Sequence, residues 1–335
     1  MKRWQISIAL CCLFFTVKHT VFGQEGASHP EEARIITSDI SNFWTMYDQL
    51  PEAESKEDTI QMLHDLYISK ASSALQEYFE AEQRENKKNI EEEYLAVLRQ
   101  YPKFLASIRN NTESIEKNKD SIYKYFRQAK ALYPDFEFHD TYFCIGFFNS
   151  AGRSMPKGGL YIGTEMFALS DEAVLDEWDN SPWLRFFQPI SHIHNIVLHE
   201  QAHFQQLPPV DNDYNLLYNA INEGAAVFLV DIVTHGKGVT NGGAVSEAAL
   251  NYGDANEQEV WRRFKANMYA YDQSDWFYNA DSEAWPKDMG YYVGYKICRS
   301  YYDHAKDKPL AIKEILEVTD PATFLEKSKY TTKFE

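Results

Sequence analysis

His199-Glu200-Gln201-Ala202-His203 sets two imidazoles four residues apart, with a carboxylate beside the first. On an α-helix that step is about one turn, so both His side chains leave the same face, one above the other. Two neutral imidazole nitrogens so placed can hold one Zn²⁺, and Glu200 can act as general base toward a water that the ion activates. Ile193, Ile196, Val197 and Leu198 just upstream suit a buried helix. His192 and His194 are spare imidazoles. They read as part of the helix N-terminus after Ser191, because a third ligand is available elsewhere.

That ligand is Glu223, in Asn222-Glu223-Gly224-Ala225-Ala226, twenty residues after His203. The apolar run Val227-Phe228-Leu229-Val230 continues it as a second buried helix. Pro208 and Pro209 end the first helix, and the interval leaves room for a loop and a return. The small residues 224–226 would let the second helix approach the first closely, as a shared ion demands. Two His, one Glu and an open fourth position make a catalytic rather than a structural zinc site. A competing reading of Glu223 is helix capping, since Asn-Glu near a helix start also serves the N-terminal dipole.

HEQAH followed by a Glu inside NEGAA resembles the gluzincins, the thermolysin-type zinc peptidases. Gly159-Leu160-Tyr161-Ile162-Gly163 and Gly290-Tyr291-Tyr292-Val293-Gly294-Tyr295 extend the likeness to a family of zinc-dependent proteases related to gliding-motility lipoproteins of the GldB type, over roughly residues 135–330. The resemblance implies a zincin-like catalytic unit. It also implies an edge strand at residues 158–164 that pairs with extended substrate, although an ordinary internal strand fits the same residues. It further implies a Tyr or His from the C-terminal lobe as oxyanion donor. Tyr291, three before Gly294, is the choice among Tyr291, Tyr292 and Tyr295; a purely packing role for this cluster competes with it. The thermolysin pattern places an Asp four residues after the third ligand, where this chain has Val227.

Lys2 and Arg3 followed by the apolar run Ile6–Phe15 read as a signal peptide over residues 1–23, giving an exported, periplasmic or secreted protein. Cys11 and Cys12 sit inside that run without the small residue in front that lipid attachment takes. No later stretch reads as a membrane helix, so membrane insertion is not expected. Removing 1–23 takes away Lys2, Arg3 and Lys18 and no acid, so the net charge of −17 becomes −20. Such a surface repels nucleic acid and anionic membranes and argues against both as partners. Cys144 and Cys298 remain, and read as buried free thiols in preference to a bridge.

The elements that must position these groups form an α+β, mostly helical chain. Residues 24–34 are polar and read as a disordered linker. Residues 35–132 read as an N-terminal helical subdomain, with apolar spacing of three and four around Asn42–Gln49, Thr59–Phe79, Ile90–Arg109 and Ile115–Leu132. At Tyr133-Pro134 the texture changes. Residues 133–335 read as the metallopeptidase domain, with one or two strands in Phe136–Phe148, a turn-rich loop at 150–159, a strand at 160–163 and the two metal helices. A Gly-rich loop at 234–243 follows, then helices near 246–251, 257–270, 290–304 and 310–317. That loop lacks the Gly-Lys-Ser/Thr ending of a phosphate cradle.

The expected activity is hydrolysis of a peptide or protein substrate with one Zn²⁺ per chain: His199, His203 and Glu223 as ligands, Glu200 as base and Tyr291 as oxyanion donor. A zinc amidase acting on a non-peptide substrate, and a non-catalytic exported interaction protein that keeps the fold, are the alternatives.

Overall fold

Short polar residues start many of the helices. Ser55, Ser72, Asn89, Asn215, Ser246, Asp307 and Asp320 each accept from the backbone N–H three residues on, satisfying a donor the helix cannot. The computed structural model describes residues 26–155, 157–178, 184, 187–241, 245–279 and 285–334. The signal-peptide segment 1–23 lies outside the described residues, as do 242–243 of the Gly-rich loop. The fold is mostly helical with a small mixed sheet, an α+β arrangement. The chain divides into two compact units, one of residues 35–117 with 141–190, the other of 26–34, 118–140 and 191–334.

The first unit holds β1 (Ile35–Ile36), α1 (Ser38–Gln49), α2 (Lys56–Leu66), α3 (Ser73–Asn86), α4 (Ile90–Gln100) and α5 (Pro102–Ser114). The helical stretch expected over 59–79 is two helices, because Ser72 caps a new one. The stretch over 90–109 is likewise cut where Pro102 opens α5. Its sheet adds β2 (Thr141–Cys144), β3 (Gly152–Met155) and β4 (Gly159–Gly163) in the order β1-β2-β4-β3. β2 pairs in parallel with β4, Thr141 opposite Leu160, and β3 runs antiparallel to β4, Arg153 opposite Tyr161.

That topology corrects one expectation. β4 is hydrogen-bonded on both sides and buried along its length, so residues 159–163 are an interior strand with no free edge for an extended substrate. Tyr161 stacks on Tyr78 of α3 with ring centroids 4.2 Å apart. The hydroxyls of Tyr67 and Tyr94 both donate to the Ile145 carbonyl, tying the helical layer to the chain that leaves β2.

The second unit holds α6 (Lys119–Leu132), α7 (Ile193–His203), α8 (Leu216–Val233), α9 (Glu247–Ala255), α10 (Glu257–Asn267), α11 (Met289–His304), α12 (Lys308–Leu316) and α13 (Pro321–Ser328). α13 escaped the sequence reading although Asp320-Pro321 is a cap followed by proline at the first helical position. α8 is central, packed by α6, α7, α11, α12 and α13. With 18 residues and a mean hydropathy of 1.4 it is long and apolar enough to cross a membrane, contrary to the expectation that no such stretch follows the leader. Here 89% of it is buried by its own neighbours.

α8 and α11 approach backbone to backbone. A Cβ on Gly224 would fall 2.0 Å from the carbonyl carbon of Gly294, and one on Gly294 would fall 1.6 Å from the Ala220 oxygen. Gly224 therefore serves contact with α11, not the approach to α7 that its small size suggested. Residues 26–34, whose polarity suggested a linker without structure, are laid onto this unit. Ala27 bridges Phe138, Pro30 and Ala33 are buried, and Arg34 grips Asp140 through its backbone N–H and its guanidinium. Cys144 in the first unit and Cys298 in the second are buried and free.

Candidate metal centre

α7 begins after a short turn at Ile190–His192 and lies against both α6 and α8. Ile193, Val197, Leu198 and Ala202 bury its apolar side. Gln201, two positions and so about 200° from either ligand-bearing position, leaves the other side of the helix. Its amide pairs with the backbone N–H and C=O of His139, at 3.0 and 2.6 Å. Gln205 does the same for Glu137, at 3.0 and 2.7 Å. The segment 137–139, which the alternation of 136–148 suggested as part of a strand, is thus held by two glutamine side chains at Glu137 and His139 and by the isolated backbone bridge from Ala27 at Phe138.

On the ligand side, His199, His203 and Glu223 converge. The Nε2 atoms of His199 and His203 are 3.2 Å apart. Oε2 of Glu223 lies 3.2 Å from the first and 3.5 Å from the second. Zinc bonds of 2.0–2.1 Å in tetrahedral geometry require ligand atoms about 3.3–3.4 Å apart, so this triangle has the size of one face of such a site. A carboxylate oxygen of Glu200 also lies within 4.8 Å of ligand nitrogens of both histidines. Two carboxylates therefore flank the imidazole pair, and the shorter contacts favour Glu223 for the third position. His199 and Glu223 are buried, whereas Glu200 and His203 are half-buried.

Burial alone would keep the His203 imidazole neutral. The Glu223 carboxylate beside it outweighs that and carries its pKa up to about 9. Burial likewise works to raise the Glu223 carboxyl, but the His203 charge and hydrogen bonds from both imidazoles pull it far below the carboxylate range. Two imidazole nitrogens and a carboxylate oxygen at this spacing are a donor set that fits a divalent ion.

The outer nitrogens differ. Nδ1 of His203 meets Oε1 of Gln206 at 2.7 Å, and Gln206 Nε2 donates to the Asn222 carbonyl at 2.6 Å. Nδ1 of His199 is buried with no hydrogen-bond partner among the described residues, and Val227 is packed in α8. Gln206 was missed in the sequence; a Gln three residues after the second His is the only local sign of it.

Tyr291 stands at the start of α11 with its ring centroid 6.4 Å from that of His199. Its hydroxyl meets that of Tyr278 at 2.9 Å, and Phe277 packs edge-on against its ring. Tyr278 takes a left-handed φ of 56°, unusual for an aromatic residue, and its N–H donates to Asp288 Oδ1. Tyr292 and Tyr295 turn to other partners, Asp254 and Asp231, so of the three tyrosines only Tyr291 packs against a histidine of the cluster. His192 forms the cap of α7, and His194 stacks on Tyr125 of α6 at 4.1 Å, its pKa lowered by burial to about 4.

In comparisons with known proteins, the model of a family described as gliding motility protein GldB matches residues 28–332. No curated protein matches, and no solved structure does.

Proposed function

The chain belongs to the family of gliding motility protein GldB, and within that family we propose that it is an exported zinc-dependent hydrolase that cleaves peptide bonds. The family's lipoprotein character supports export to the cell envelope and a gliding-motility association. The observation that carries the catalytic reading is the triangle of His199 Nε2, His203 Nε2 and Glu223 Oε2, with edges of 3.2, 3.2 and 3.5 Å. When bound, zinc would lower the pKa of a water toward 7 and polarise the scissile carbonyl.

This chain's own residues would supply the rest. Glu200, next to His199 and outside the closer triangle, takes the proton of the attacking water and returns it to the leaving amine. Tyr291 offers a phenolic O–H to the developing oxyanion, with Tyr278 oxygen-to-oxygen against it. Burial of His199 and Glu223 limits competing water around the reacting groups.

A second reading, a non-catalytic envelope component of the gliding machinery, draws on the family description. Glu200 speaks against it, because a purely structural metal site has no use for a base there. The test is metal content of the purified mature protein, followed by hydrolysis of casein or quenched peptides by wild type and Glu200→Gln. About one zinc per chain and loss of hydrolysis in Glu200→Gln are expected. A metal-free protein, or equal activity in the two, removes the proposal.

A further inference from the structure

The hydrogen-bond chain from His203 to Asn222 passes through a single amide, and its direction can be read. Asn222 contributes a backbone carbonyl, which can only accept, so the Gln206 atom 2.6 Å from it is the donating Nε2. The opposite end of the amide, Oε1, is then an acceptor, and it lies 2.7 Å from Nδ1 of His203. Nδ1 must therefore carry a proton whether or not the ring is charged, so Nε2, which faces His199 and Glu223, is the nitrogen left to bind a cation. Asn222 immediately precedes Glu223. One side chain thus fixes the ring orientation of a ligand on α7 and anchors the residue beside a ligand on α8.

We propose that Gln206 is the positioning residue of this centre, holding His203 as the Nδ1–H tautomer and locking the two ligand-bearing helices in register for a divalent cation. It rests on the zinc reading above. His199 has no corresponding support, since its Nδ1 lacks a partner among the described residues. The orientation of the site therefore depends on one amide more than in a centre where each imidazole is held separately.

The experiment is competition for Zn²⁺ alone between a chromophoric chelator and wild type, Gln206→Met and Gln206→Glu at fixed pH, alongside melting of the zinc-free proteins. Gln206→Met keeps the volume and loses both hydrogen bonds, and zinc affinity should fall about 10–100-fold. Gln206→Glu can still accept from Nδ1 and should recover most of that loss, while leaving the Asn222 carbonyl without its donor. A merely structural glutamine would lower the melting temperature of Gln206→Met and leave zinc affinity unchanged, which overturns the inference while wild type still binds. A wild type that takes up no zinc overturns the metal reading and this inference with it. Should Gln206→Met not fold, nitrogen-15 NMR of the imidazoles in zinc-loaded wild type decides. Protonated Nδ1 on His203 supports the inference, and protonated Nε2 refutes it.

Discussion

Gly224 and Gly294 meet where α8 crosses α11, so close that neither can carry a side chain without striking backbone. The contact sits one residue beyond Glu223 and three beyond Tyr291, so it fixes how far Tyr291 stands from the carboxylate. The glycines are needed for the close approach of two helices, since both lie inside regular helical backbone.

Gly294→Ala should accordingly be among the most destabilising single-methyl additions in the chain. The obstructing atoms are the Ala220 carbonyl, which has no rotamer to yield. A loss of roughly 3 kcal/mol or more is expected, read as a lowered midpoint in denaturant unfolding. An unfolding free energy within about 0.5 kcal/mol of wild type, the scatter of surface changes, would show that the crossing relaxes freely.

Glu200→Gln and His199→Ala should separate binding from chemistry. The first leaves the His199, His203 and Glu223 triangle intact, so zinc content stays near wild type while peptide hydrolysis drops by about 10²–10⁴-fold. The second removes one corner and should abolish both. Elemental analysis and a quenched-peptide assay on the same preparations give the two readings.

Tyr291→Phe should lower kcat by roughly 10–10³-fold with KM and zinc content little changed, the pattern of a group that acts in the transition state. Its ring contacts with His199 and Phe277 survive the substitution, so unfolding should barely shift. A change in KM alone would assign Tyr291 to substrate packing.

Glu165, in the first unit, gives a pH prediction independent of any metal. It is fully buried, and burial raises its pKa from 4.5 to about 7 despite hydrogen bonds from the N–H groups of Gly146 and Phe148. The folded protein therefore holds its proton more tightly than the unfolded chain. This group's contribution to stability is greatest below about pH 4.5, falls as pH rises through the window to about 7, and is level above it. The total is of order 3 kcal/mol. Denaturant unfolding between pH 4.5 and 8 should show that slope in wild type and a flatter one in Glu165→Gln; parallel slopes would contradict it.

What could be read in advance follows from locality. The one-turn step between His199 and His203 and the proline break before α8 are properties of neighbouring residues, so the helices and the meeting of their side chains were legible. The caps at Asn89, Ser55 and Asp320 are just as local, three residues from their partners, yet they went unread, and with Asp320 the whole of α13. Gln206 and Tyr278 were not legible, because their roles depend on a turn after α7 and on a left-handed backbone angle that leave no periodic trace. β4 read as a strand from its apolar run. Its interior place was hidden because β2 and β3 flank it through pairings that only the assembled sheet determines. The texture break at Tyr133-Pro134 does not coincide with the boundaries of the two units either, since α6 has the same charged, amphipathic character as the helices before it.

That last point bears on how the protein can be cut. A polypeptide started at Tyr133 would retain both imidazoles, Glu223 and Tyr291, yet would lack α6 and with it the ring of Tyr125 that covers His194. The flank of α7 that α6 shields would be bare to water, and such a fragment should precipitate or bind metal erratically. The unit that carries the candidate centre is written in three separated stretches, 26–34, 118–140 and 191–334, and excising it requires joining 34 to 118 and 140 to 191.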